Sequence, residues 1–238
     1  MLYKSYKLIT SLFVLFLFLS LYVNLAIAKE NAALSKLKGN VNVFKPGKTQ
    51  GAEGKIGMPL LAGDKVITTG KDSSADITFP NGDRVRIMSD SNLIIEESYF
   101  KKKSFRVLLN LFKGKIFNIV RRKDTRGSKY YKVKTPTSVA GVRGTIWSAE
   151  TSESGEDVFM VKEGKVAVTN REVAPEKEIL VSDLKKTIVK ADKPPTDPIP
   201  LTPEEIAMFD ILDDLLVQLM EDMRDDVRDN FAEDMLER

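Results

Sequence analysis

Between Leu37 and Val189 the apolar residues recur with a period of two in short runs, and that alternation restricts the chain to strands there. Val41 and Val43; Ala75, Ile77 and Phe79; Val85 and Ile87; Leu93 and Ile95; Val166 and Val168 each place apolar side chains on one face of an extended segment. Turn residues bound the runs: Pro46-Gly47, Pro80-Asn81-Gly82-Asp83, Arg126-Gly127-Ser128 and Glu163-Gly164-Lys165. No long amphipathic helix fits in this stretch, so the body is predicted to be all-β.

Within it a weak repeat of glycine, polar residue and β-branched residue recurs at Gly39, Gly63, Gly82, Gly114 and Gly164. Turn-strand units of this kind build either a β-sandwich or a short β-solenoid, and their irregular spacing leaves both open. The glycines are read as backbone geometry rather than ligand contacts.

The ends of the chain differ from the body. Lys4 and Lys7 precede an apolar run from Leu8 to Val23, and Ala26-Ile27-Ala28 follows, which is the pattern of a secretory signal peptide cleaved after Ala28. No later stretch is apolar and long enough to span a bilayer, so residues 29–238 are expected in the periplasm or outside the cell. The sequence has no Cys, hence no disulfide, no thiolate metal site and no acceptor for a lipoprotein anchor.

At the other end, residues 191–202 carry four of the ten prolines and read as an extended connector after a 29–190 β domain. Thr202-Pro203-Glu204-Glu205 is a capping box, so residues 203–238 are predicted to form a long helix. Phe209, Leu212, Leu216, Leu219 and Met223 form its apolar stripe. Ile206, Ile211, Leu215 and Met220 widen it into a face that must be buried.

Charge divides the chain in the same way. The whole carries +3, but residues 204–238 hold thirteen acids and three arginines, a net of −10. The leader contributes +2, so residues 29–203 carry +11. A basic body with an acidic tail favours contact between the two, within a chain or between chains, and attraction to anionic envelope polymers. Export disfavours nucleic acid as the partner. The candidate contact residues are the cationic runs Lys101, Lys102 and Lys103 and Arg121 and Arg122, together with Arg143 between two glycines, whose fork could hold a carboxylate or fix its own turn.

Histidine is absent along with Cys, which removes the commonest general base and the triads built on either residue. Asp64, Asp76, Asp83 and the Glu96-Glu97 pair are the remaining carboxylates for glycosidase-type chemistry, and they read as turn and surface acids. No phosphate loop or dinucleotide fingerprint occurs, and no cofactor is expected.

The most distinctive run is Thr135-Pro136-Thr137-Ser138-Val139-Ala140-Gly141-Val142-Arg143-Gly144-Thr145-Ile146-Trp147. With Leu60 to Gly70, Ser74 to Phe79, Asn81-Gly82-Asp83 and Val161 to Val168 around it in order, the chain over roughly residues 37–170 resembles the FecR-like domain. The family's best-known members are membrane regulators of iron uptake with a cytoplasmic end that binds a sigma factor. This chain opens with an export signal in that place, so the resemblance implies a stand-alone secreted member: an all-β, non-enzymatic module binding an envelope protein or an anionic polymer. The alternatives are a structural envelope protein assembled by a coiled coil of residues 203–238, and a polysaccharide-active enzyme using paired carboxylates.

Overall fold

Three strands longer than the period-two runs organise the molecule: β1 (Ala32–Phe44), β4 (Lys65–Thr78) and β7 (Ser104–Val120). Each bends at a glycine with positive φ, at Gly39, Gly70 and Gly114. At Gly114 the bend is obligatory, because φ is +93° and a Cβ would stand 2.1 Å from Ser91 Oγ and 2.7 Å from Ser91 Cα. The computed structural model describes residues 31–101, 104–121, 129–173 and 175–236, with side chains described as far as Arg224 in the last helix. The leader expected over residues 1–28 lies outside the described residues.

The bends let each long strand serve two layers. In the first layer β2 (Ala52–Glu53), the second half of β1 and the first part of β4 continue through β6 (Asn92–Lys101) to the first part of β7. Beyond it lie β8 (Lys129–Lys134), β9 (Ser138–Val142), β12 (Lys165–Asn170) and β13 (Ile179–Ser182). The second layer begins with β3 (Pro59–Leu60), the first half of β1 and the last part of β4, then β5 (Arg84–Ile87) and the last part of β7. It ends with β10 (Thr145–Thr151), β11 (Asp157–Glu163), β14 (Lys185–Val189) and β15 (Ile199–Pro200). Among the described strands every pairing is antiparallel except that of β7 with β8. That pattern fits the sandwich and not the stacked parallel rungs of a solenoid.

The alternating residues meet between the layers in one core, with Val41, Val66, Leu93, Val107 and Val133 from the first facing Leu34, Ile77, Ile116, Trp147 and Phe159 from the second. Polar groups also tie the layers. The buried Tyr131 hydroxyl donates to Asn118 Oδ1 at 2.8 Å. Ser138 Oγ and Thr135 Oγ1 donate to Asp157 Oδ2 at 2.6 and 2.5 Å. The Thr-Pro-Thr-Ser run is thus a turn that clasps a fully buried acid, and that burial pushes the Asp157 carboxyl above its usual range.

The proline-rich segment 191–202 is extended and hydrogen-bonded along β14: Thr196 N–H donates to Ile188 O at 3.0 Å, and Ile188 N–H to Thr196 Oγ1 at 3.0 Å. Leu201 N–H then donates to Leu184 O at 2.8 Å and its side chain is buried. The helical part that follows lies on the outer face of the second layer.

Thr202 caps that part as its sequence requires, accepting from Glu205 N–H at 3.3 Å while Glu205 Oε2 accepts from Thr202 N–H at 3.0 Å. The single continuous helix expected from there is interrupted, however. α1 (Pro203–Ala207) gives way to a 3₁₀ segment, Met208–Leu212, before α2 (Asp213–Leu236). Residues i and i+3 eclipse in a 3₁₀ turn, so Phe209 and Leu212 stand in line and the buried stripe continues to Leu215 and Leu219, with Leu216 only half-buried. The expectation that the whole broad face is buried is therefore corrected: Ile211 is 39% exposed, Met220 63% and Met223 46%.

Phe209, Leu212, Leu215 and Leu219 pack on Phe117, Ile119 and Met160, the outward residues of β7 and β11, and the Phe117 and Phe209 rings meet edge to face at 5.3 Å. Around this second core acids of the helical part meet cations of the body. Arg84 Nη2 lies 2.6 Å from Asp222 Oδ2, Lys36 Nζ 2.6 Å from Asp214 Oδ2, and Lys186 pairs with Glu205.

Candidate functional site

Register alone gathers cations and tyrosines at one end of the first layer. Tyr99 on β6 stands opposite Arg106 on β7, and Arg106 opposite Tyr130 on β8. One residue along, Tyr131 faces Val142 of β9 and Val142 faces Val166 of β12, which sets Arg143 beside Tyr130 and Lys165 beside Arg143. The resulting row, Tyr99, Arg106, Tyr130, Arg143 and Lys165, crosses five strands and spans about 19 Å at the usual strand spacing. Its side chains point away from the core, because Val107, Tyr131 and Val166 next to them point into it.

Aromatic faces and cations alternate along the row. The Arg106 guanidinium sits 4.5 Å from the Tyr99 ring centroid, with Lys101 Nζ 5.5 Å from the same ring, and Lys132 Nζ lies 5.4 Å from Tyr130. One acid is built in. Glu97 accepts from the Tyr130 hydroxyl and, at 2.5 Å, from Arg106 Nε. Those two bonds, the tyrosine's first, hold the Glu97 carboxyl below its usual range against the opposing effect of burial, and the same bond raises Tyr130. Arg143 and Lys165 are exposed, and neither they nor Lys101 forms an ion pair among the described residues.

Arg143 stands at a corner where the chain passes between layers. β9 leaves the first layer and enters β10 of the second through Arg143-Gly144, and β11 returns to β12 through Gly164. The two corners touch: a Cβ on Gly164, whose φ is +95°, would lie 2.6 Å from Gly144 O. A third crossing, from β13 to β14, supplies Asp183, whose Oδ1 accepts from Gly164 N–H at 2.5 Å. The Gly-Val-Arg-Gly-Thr motif is thus a layer-crossing corner that projects its arginine into solvent, and among the described residues no acid pairs with Arg143 to fix the turn.

Beside this corner a groove of about 420 Å³ runs under α2. Ile119, Ile146, Leu216 and Leu219 are its apolar wall, and Arg121, Lys165, Glu163 and Asp183 stand at its rim. Arg121 is the second expected contact residue that the fold places near Arg143; its N–H donates to Asp83 Oδ1 at 2.8 Å and its side chain lies over Gly82. Lys102, Lys103 and Arg122 lie outside the described residues.

The carboxylates considered for glycosidase-type chemistry are all engaged. Asp64 accepts from Lys45 and from Leu61 N–H, Asp76 from Arg86, Asp83 from Asn81 and Arg121 N–H, Glu96 from Asn110 and Lys134, and Glu97 as above. Tyr99, Arg106, Tyr130 and Lys165 did not stand out in the sequence, because only strand register brings them together. Arg84 and Arg86 did carry a signal: they alternate with the core residues Val85 and Ile87, which points them to the face the helix covers.

Among the described residues no helix is long and apolar enough to cross a membrane. No curated protein matches the chain. Two crystal structures of a "putative anti-sigma factor" from Parabacteroides distasonis ATCC 8503 are similar at 17% identity with a TM-score of 0.47. The similarity covers 60% of this chain and 62% of that one. Residues 65–167, which run from β4 through the basic row and both touching corners into β12, match the family model described as FecR protein.

Proposed function

We propose that the protein is an exported, non-enzymatic interaction module of the cell envelope, and that the row from Tyr99 to Lys165 holds an anionic envelope polymer. The observation that carries this reading is the row itself: Arg143 and Lys165, which form no ion pair among the described residues, and Arg106, paired with Glu97, stand at successive strand spacings with tyrosine faces between and beside them. Repeating carboxylates or phosphates on an extended chain meet such a row one strand at a time, and sugar rings stack on the tyrosines between. The cations of the opposite face are paired with the chain's own acidic helix, which leaves the first layer as the basic surface open to a partner. The signal-peptide pattern in residues 1–28 supports the envelope location.

The test compares retention on an immobilised polyuronate and on a neutral dextran of equal length. Retention on the polyuronate alone, falling as salt is raised and lost in the Arg143→Glu, Lys165→Glu double variant, is the expected result. Equal retention of the variant, or binding indifferent to salt, overturns the assignment.

A further inference from the structure

The C-terminal helical part docks by one face and leaves a second apolar face open. Leu212, Leu215 and Leu219 point at the sheet, while Val217, Met220 and Met223 are 50%, 63% and 46% exposed. At 100° per residue Leu216, Met220 and Met223 fall within about 60° of one another on the helix surface. Leu216 is also a wall of the 420 Å³ groove, so the exposed strip and the groove form one continuous apolar surface. The sequence extends the same three-and-four spacing to Val227 and Phe231. A contiguous apolar strip on an otherwise charged helix marks an interaction surface.

The charges beside the strip say what covers it. Glu221 and Arg224 are both exposed, neither forms an ion pair among the described residues, and they are three positions apart. In an antiparallel pair of identical helices a two-fold axis between them sets Glu221 of each helix against Arg224 of the other. The remaining exposed charges over residues 208–224, Asp210, Asp213 and Asp222, are acidic and disfavour an anionic lipid surface as the occupant. We infer that the strip Leu216, Val217, Met220 and Met223 is the contact by which two copies of this chain pair antiparallel along α2, with Met220 and Met223 of each copy meeting across the two-fold axis. The pairing is isologous, uses residues outside the matched domain and leaves the basic row of each copy facing outward, so a dimer presents two rows.

Light scattering tests this on protein produced from the full sequence and purified in the form the cell yields. The expected mass is that of two chains, and Met220→Lys with Met223→Lys gives one chain with the circular-dichroism spectrum of the wild type, because both side chains are exposed in the single chain. Glu221→Arg and Arg224→Glu each weaken the dimer by about five-fold, the scale of an exposed ion pair, and the double reversal restores it. Monomeric wild-type protein, or a dimer that survives both lysines, overturns the inference. Failure of the double reversal to restore what either reversal loses overturns the antiparallel alignment.

Discussion

Arg86 on β5 grips two carboxylates at once: its Nε and Nη2 donate to Asp76 at 2.7 and 2.6 Å, and its Nη1 and Nη2 reach Asp214 on α2 at 3.0 Å each. It also donates to Ile211 O at the end of the 3₁₀ segment. Asp76 is 2% exposed and Asp214 lies at the margin, so the guanidinium neutralises a buried acid of the sheet and anchors the helix with the same plane.

The two acids therefore respond differently to mutation. Arg86→Met leaves Asp76 buried without its cation and is expected to cost the whole domain about 3–5 kcal/mol. Asp214→Asn removes a pair that solvent partly screens, and is expected to cost about 1 kcal/mol or less, felt by the helix and not by the sandwich. Denaturant unfolding measures the first. Protease cleavage near Leu212 in an otherwise intact body reports the second.

Acid should loosen the same joint. The Arg86 guanidinium, ahead of Lys36, holds the Asp214 carboxyl well below the usual carboxylate range, against the opposing effect of burial. A depressed folded value contributes stability that is complete above the unfolded value near 4 and is lost as pH falls below it. Docking of α2, followed by the quenching of a probe placed at Val217, is expected to hold from neutral pH to about 4 and to weaken progressively below.

Asp157 carries the opposite sign. Burial raises its carboxyl, so the folded state favours the protonated form and the ionised form opposes folding above the unfolded value. Relative to Asp157→Asn, the wild-type protein should gain stability as pH is lowered from neutral toward 4, the range over which the raised group takes up its proton. A difference between the two proteins that stays constant across that range contradicts this.

Much of this architecture was legible before any coordinates. The alternation at Ala75-Ile77 and Val85-Ile87 lies in strands with those residues in the core, Phe79 joins the core just past the end of β4, and all five repeat glycines have positive φ. The capping box at Thr202 starts the helical part where it should. What the sequence could not convey was which layer each half of β1, β4 and β7 joins, because a bend at Gly39, Gly70 or Gly114 leaves the alternation on either side unchanged. The basic row stayed hidden for a related reason: Tyr99, Arg106, Tyr130 and Arg143 sit in separate runs whose register depends on those bends and on the single parallel pairing. The 3₁₀ segment escaped because Met208–Leu212 has ordinary helical composition, and its interruption coincides with a donor from a strand more than a hundred residues away.

The touching corners give a sharp test of the motif. Gly164→Ala forces a side chain into the left-handed region and against the Gly144 carbonyl, where backbone must yield, and is expected to cost about 2 kcal/mol or more. Arg143→Ala, one residue from that contact, touches no partner among the described residues and should stay within about 0.5 kcal/mol of wild type. Thermal unfolding separates the two: a corner that exists to present its arginine tolerates the loss of the arginine and not of the glycine.

Tyr131 offers the same separation inside the core. Its ring packs edge to face on Phe79 at 6.4 Å, and its hydroxyl crosses the core to Asn118 on the opposite layer. Burial holds that hydroxyl in its protonated, donating form far above the usual range. Tyr131→Phe keeps the ring and removes the donor, leaving Asn118 Oδ1 buried without its partner, beside an Nδ2 that has no hydrogen-bond partner among the described residues. The expected cost is about 1–3 kcal/mol, the desolvation of an orphaned polar atom, since no packing is lost. The companion change Asn118→Val in the same background removes the orphan as well, so the double variant should recover part of that loss in a double-mutant cycle. Recovery shows that the cost belonged to the unpaired amide. A double variant less stable than either single change shows instead that Asn118 holds the bend of β7 against β10 by its shape, and that the two layers are joined at this point by packing and not by the hydrogen bond.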